Sequence, residues 1–196
     1  MKRPRSSVYL ALLNYPSLNK EKKIVSTSIT PLSVHDIARC AATYGVKRYY
    51  VVNPVTAQKK LIGRIIEYWN EGFGSIYNRN RKKALSILSA VSDLEDVIRD
   101  IKKNEKREPK LVTTSAKRFA NSISFETLRQ KIFGENGIYL ILLGTGWGIP
   151  DEIMMESDYT LDAVRGTTGF NHLSVRSAAS IILDRLLQEE KDERRA

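Results

Sequence analysis

Apolar positions along this chain change period several times, and each change marks an element. Val8 to Asn14 is a nearly unbroken apolar run of strand length, and the polar stretch through Lys20 to Lys23 separates it from an extended segment at Ile24 to Ser28. From Ser33 the period lengthens. Val34, Ile37, Ala38, Ala41 and Ala42 form one helical stripe. Ser33-Val34-His35-Asp36 predicts a capping box, and Gly45 stands where a left-handed C-cap belongs. Arg48 to Asn53 reads as a strand closed by Pro54. Thr56 predicts the cap of a helix running to about Trp69, with Leu61, Ile62, Ile65 and Ile66 on its apolar side and Gly72 past its end. Further along, Leu85 to Ala90 predicts a strand, and Ser92 with Glu95 opens a helix reaching Lys103. Leu111 to Thr114 predicts a short strand, Phe125 to Phe133 a helix, and Ile138 to Leu143 another strand.

Strands alternating with helices predict an α/β fold with a largely parallel, doubly wound sheet of about six strands. With 196 residues and 42% hydrophobic content the chain fits one domain over residues 1–196, its basic end 1–7 and charged tail 189–196 being flexible. Only one cysteine, Cys40, is present, so no intramolecular disulfide forms, and two histidines, His35 and His172, are too few for a zinc site. The start MKRPRSS leads only into a short apolar run, and no run approaches membrane-spanning length. These features point to a reducing cytoplasm, no metal and no membrane.

Charge narrows the partner. The chain carries a formal +10, and the excess is clustered: residues 1–23 are net +5, whereas residues 140–187 are net −3. A basic periphery around a mildly acidic pocket suits a polyanion outside and a cationic or neutral cofactor inside. Residues 68–83, YWNEGFGSIYNRNRKK, read as a loop in which Tyr68, Trp69, Phe73 and Tyr77 interleave with Arg79, Arg81, Lys82 and Lys83. Such a loop can stack bases and hold phosphates, while Trp69 packing in the core beside a solvated basic run accounts for the same pattern.

The chemistry concentrates where apolar segments end in glycine. The strand YLILL ends in Gly144, Gly146 and Gly148, and Leu161 to Val164 runs into Gly166 and Gly169 before a small-residue helix. Glycine lets a ligand approach the backbone closely. G-T-G-W-G lacks the dinucleotide spacing, no G-K-[ST] offers a P-loop, and no G-x-S-x-G elbow exists.

LLGTGWGIP, LDAVRGTTGFNHLSVRSAASIIL and SVHDIARCAATYGVKRYYVVNP together resemble the SPOUT class of RNA methyltransferases, above all the domain that some chains carry behind tRNA (guanine-N1) methyltransferase. The resemblance implies a C-terminal trefoil knot holding S-adenosylmethionine, with S-adenosylhomocysteine as product. It also implies a homodimer and an RNA substrate, tRNA ahead of rRNA. Carried over, Leu143, Gly144, Thr145, Gly146, Trp147, Gly148 and Ile149 form one cofactor wall, Leu161, Ala163 and Val164 a second, and Asn171, Leu173 and Ser174 a third. Arg39 matches an arginine that contacts the target phosphate or helps activate the nucleophile. The chain departs from the ribose-methylating pattern at Ser33, His35, Ser174 and Arg176, which leaves open another target atom, or an RNA-binding module that keeps the fold without catalysis.

From the residues themselves, His35 is either a first-turn group or a general base, and Asp151 and Asp162 border the turns where a carboxylate can take a proton. Arg165 and Arg176 are placed to meet a carboxylate or an RNA phosphate. A small-molecule nucleotide enzyme would use the same glycine turns but leaves the charge unexplained.

Overall fold

The computed structural model describes residues 4–115 and 119–189. The expected flexible ends fall mostly outside this range, at residues 1–3 and 190–196. Within it, Ser6 is buried, takes the Ile132 carbonyl at 3.1 Å through its amide and donates its hydroxyl to Glu135 O at 2.7 Å.

Among the described residues the sheet has eight strands. They are β1 (Ser7–Leu18), β2 (Ile24–Val25), β3 (Tyr49–Val52), β4 (Leu88–Val91), β5 (Lys110–Thr114), β6 (Ser122–Ile123), β7 (Ile138–Gly146) and β8 (Tyr159–Leu161). Their order is β4-β3-β1-β7-β5-β8-β6, all parallel, with β2 antiparallel to the far end of β1. The expectation of about six is low because β6 and β8 are two and three residues long. Runs that short carry no period and exist only through their neighbours.

Alternation along the central strands sends side chains to two cores. Leu10, Leu12, Tyr49, Val51, Tyr139, Ile141 and Leu143 face one side, while Tyr9, Ala11, Leu13, Tyr50, Val52, Leu140 and Leu142 face the other. The first face is covered by α1 (Pro31–Thr43), α2 (Thr56–Asn70), α4 (Arg79–Leu85), α6 (Phe125–Gly134) and α8 (Val175–Leu187); the second by α5 (Leu94–Glu105) and α7 (Asp151–Glu156). Cover on both faces is what an apolar parallel sheet requires.

Local chemistry moves some boundaries. Helix α1 is capped by Thr30, whose hydroxyl accepts from Ser33 N with Pro31 opening the first turn, so capping lies three residues ahead of the expected Ser33. Helix α5 is capped by Asp93 rather than Ser92, and Asp96 returns the bond to the Ser92 amide. Val55 occupies the N-cap of α2, with no side-chain cap from Thr56.

Residues 68–83 are not a loop. They hold the end of α2, then α3 (Phe73–Tyr77) and α4. Asn78 makes this possible by accepting from Arg81 N at 2.9 Å, capping a basic run that otherwise reads as solvated coil. Leu85 accordingly ends α4, and the strand expected there begins at Leu88. Trp69 is half-buried against the main core, as its packing alternative had it.

Candidate functional site

Parallel strands end at one edge of the sheet, and there the chain leaves two contiguous cavities, of about 370 Å³ and about 180 Å³. The larger is lined by Leu143, Gly144, Thr145 and Gly146 from the end of β7 and by Leu173, Ser174, Val175 and Ala178 around the start of α8. The smaller is lined by Asp162, Ala163 and Val164 after β8, and by Asn171, Leu173 and Ile182. Thr114, the last residue of β5, borders both. This is the place in an open α/β sheet where ligands bind.

The β7 turn is clamped by the hairpin that β1 forms with β2. Trp147 N donates to Leu18 O at 2.9 Å, and Leu18 N donates to Gly148 O at 3.0 Å. Ser17 donates its hydroxyl to Thr145 O at 2.7 Å. The Thr145 hydroxyl reaches Leu13 O at 2.8 Å and the Thr27 hydroxyl at 2.7 Å. Gly146 has φ +57°, and a Cβ there would stand 2.7 Å from Leu18 O. Gly144 needs the same economy because Ile149 Cγ1 would lie 2.8 Å from its Cβ.

The cavities thus gather Leu143 to Gly146, Asp162 to Val164, Asn171, Leu173 and Ser174 of the sequence expectation. Four residues stand elsewhere: Ile149 is buried under Gly144, Leu161 belongs to the main core, and neither Trp147, which is exposed, nor Gly148 lines a cavity. Thr114 and Ala178 escaped sequence reasoning. Each carries only a weak signal, Thr114 closing a strand and Ala178 lying one helical turn beyond Ser174.

A second site flanks α1. Arg39, Ala42 and Thr43 of α1 face Asn80, Arg81, Lys83 and Ala84 of α4, with Asn78 at its cap, across a cavity of about 410 Å³. Three cations share one groove. Arg81 lies 4.8 Å over the Trp69 ring, whose indole meets His35 edge-on at 5.8 Å. Burial, and secondarily the Arg81 charge, holds the His35 imidazole below its ordinary pKa, so it is neutral near pH 7. Arg79 and Lys82 are exposed on α4, and Arg165 is exposed beside the cavity-lining Val164. The opposite side of α1 grips α8. Asp36 accepts from Arg176 at 3.0 Å, and Tyr44 donates to Asp184 at 2.7 Å, which pushes the phenol up to about 12.

Among the described residues no group of three or more His, Cys, Asp or Glu is arranged to hold a metal ion, and no helix is long and apolar enough to cross a membrane. A family model described as "SAM-dependent RNA methyltransferase" matches residues 7–188. An uncharacterized protein of Aquifex aeolicus is 40% identical over 185 residues, covering 94% of this chain and 90% of that one. A tRNA (guanine-N(1)-)-methyltransferase of Oleidesulfovibrio alaskensis is 39% identical over the same share of this chain, which spans only 43% of that relative's length. In fold, the chain is similar to the SpoU methyltransferase AviRb from Streptomyces viridochromogenes, solved in complex with AdoMet, with a TM-score of 0.58, 15% identity, and coverage of 95% of this chain and 58% of that one.

The cavities suit that cofactor on their own chemistry. Leu143, Val164, Leu173 and Ile182 give the cavities apolar walls of the kind an adenine ring fits, and Gly144 and Gly146 keep the end of β7 free of side chains there. With a model match across residues 7–188 and a relative 40% identical along most of both chains, this protein belongs to the family of SAM-dependent RNA methyltransferases.

Proposed function

We propose that this protein transfers a methyl group from S-adenosylmethionine to a nucleotide of tRNA, in the cytoplasm and as a homodimer. The observation that carries this reading is the pairing of a glycine-rimmed cavity of mixed polar and apolar lining with a groove of three cations flanking α1. The tRNA target draws on the name of the Oleidesulfovibrio alaskensis relative. Trp147, Met155, Phe170 and the cavity-lining Leu173, all large, apolar and exposed, support self-association. The lone cysteine supports a reducing compartment.

When bound, the cofactor supplies an electrophilic methyl group on a sulfonium, a good leaving group, so the protein's task is largely positioning. Leu143 to Gly146 hold one side of the cofactor and Ala163, Val164, Asn171, Leu173 and Ser174 the other. Arg39, Arg81 and Lys83 hold backbone phosphates in their groove, with Arg79, Lys82 and Arg165 extending the cationic surface. Asp162, on the smaller cavity, accepts the proton lost by the acceptor atom.

The test is titration calorimetry with S-adenosylhomocysteine, followed by mass spectrometry of digested tRNA after incubation with S-adenosylmethionine. Micromolar binding and one new methylated nucleoside are expected, and that nucleoside also decides between ribose oxygen and base nitrogen. RNA binding with neither cofactor binding nor a product would overturn the enzymatic reading in favour of a non-catalytic RNA-binding module.

A further inference from the structure

The short helix α3 presents apolar side chains that nothing in the described structure covers. Phe73, Ile76 and Tyr77 are 67%, 80% and 74% exposed, and Tyr68 at the end of α2 is 49% exposed. Four large apolar residues on one small feature are more than a solvated surface needs. Their arrangement is ordered. Phe73 and Tyr77 are four residues apart on one helical face, and their rings stack at 5.8 Å with 24° between planes. Gly74 seats α3 directly on α2, since a Cβ there would lie 2.7 Å from the Trp69 ring and 2.8 Å from the Tyr68 ring. The rings therefore stand on a packed base.

Charge identifies the occupant. From Gly72 to Ser92 the sequence has no Asp or Glu and carries Arg79, Arg81, Lys82 and Lys83. Tyr77 is followed at once by Asn78, the cap of α4, so these cations begin within one turn of the stacked rings. Glu67 and Glu71 lie on the α2 side of the rings, but the α4 side carries cations alone, and aromatic rings leading into such a run fit a polymer that offers flat π-systems on a phosphate backbone, which describes unpaired nucleotides. Bases in a duplex are stacked on one another and present no face to a protein ring. We infer that Phe73, Ile76 and Tyr77, with Tyr68, form a stacking platform for unpaired nucleotides of the RNA substrate, whose phosphates continue along α4 toward Arg39. The substrate is thereby a loop or single-stranded segment. This deepens the proposed RNA methylation and rests on it for the choice of polymer.

The experiment uses the full chain and two end-labelled probes, a 12-nucleotide oligouridylate and a 12-base-pair RNA duplex, read by fluorescence anisotropy across a salt series. Cofactor binding is measured in parallel. The wild type is expected to prefer the single strand, and the double variant Phe73→Ala with Tyr77→Ala to lose about 10-fold or more of that affinity at every salt concentration. Its salt slope should stay unchanged. The variant Arg79→Ala with Lys82→Ala should instead flatten the slope, which separates stacking from charge. Because all four side chains are exposed, an unaltered melting temperature certifies the fold. Equal binding of duplex and single strand, or an aromatic variant that binds like wild type, overturns the platform. A variant that changes molar mass in light scattering and leaves RNA affinity intact overturns it too, marking the patch as a contact between copies. Loss of single-strand affinity without any cofactor binding would sustain the platform and sink the methyltransferase reading. Cofactor binding with unaltered RNA affinity would do the reverse.

Discussion

The Thr145 and Thr27 hydroxyls meet at 2.7 Å, joining the cavity-lining end of β7 to the segment after β2. Thr145 also reaches the Leu13 carbonyl at 2.8 Å, so one side chain ties the cavity-lining turn to β1 and to its hairpin. Thr145→Val keeps the shape and removes both bonds. It should cost about 1–3 kcal/mol of stability by taking this donor from the Leu13 carbonyl, while the Thr27 hydroxyl keeps Asn14 as its partner. Urea unfolding measures this, and S-adenosylhomocysteine affinity should fall with it. An unchanged midpoint would show that the hairpin does not fix the turn.

Glycine substitutions separate clamp from cavity. Gly146→Ala meets a left-handed φ of +57° and a backbone oxygen at 2.7 Å, and neither can be relieved by a side-chain shift. The conformational part alone costs about 1–2 kcal/mol, and the collision adds to it. Gly166→Ala has nothing within 4 Å of the new atom and should change stability by less than about 0.5 kcal/mol. Equal effects at the two positions would refute the clamp.

Tyr49 opens β3 at 0% exposure, and its hydroxyl finds no partner among the described residues. Burial alone raises its pKa far above the usual phenol range. Tyr49→Phe removes an unsatisfied polar group without changing the packing, so stability should rise by about 1 kcal/mol. A lower melting temperature for the variant would reveal a bonding partner.

His35 gives the fold a pH dependence of known sign. Its folded-state pKa lies below the ordinary 6.5, first because of burial and then because of Arg81. The unfolded chain therefore takes up a proton at a higher pH than the folded one. This contribution leaves stability untouched above pH 6.5 and subtracts from it as pH falls from there to the lowered value. His35→Phe should flatten that part of the stability profile between pH 7 and 5. Parallel profiles for the two proteins would mean that the imidazole protonates in place.

Long periodic segments were legible because burial alone decides them. The stripe from Val34 to Ala41 and the apolar run of β7 each face the core they announce. The elements β6, β8 and α7 were not, since they owe their existence to partners distant in sequence. Caps slipped where two good candidates competed, Thr30 against Ser33 and Asp93 against Ser92. In the site, Gly144 and Gly146 announced themselves, but their reasons are Ile149 and Leu18, contacts that no local pattern carries. Thr114 and Ala178 are ordinary residues brought to the cavities by topology. The aromatic and basic segment stands out in the sequence, yet its division into a packed Trp69 and an exposed Phe73 and Tyr77 depends on how α3 sits on α2.

Helix α1 touches α8 through Asp36 and Tyr44 and faces α4 through Arg39. A single rod thus stands between α8, whose first turn lines the larger cavity, and α4, which walls the cationic groove, and its packing sets the span between those two helices. Thirteen residues of regular helix cannot stretch or fold to alter that span. On the proposed reading, that span belongs to the packing of α8, α1 and α4, so an RNA held in the groove must itself bend to bring its acceptor atom to the cavity.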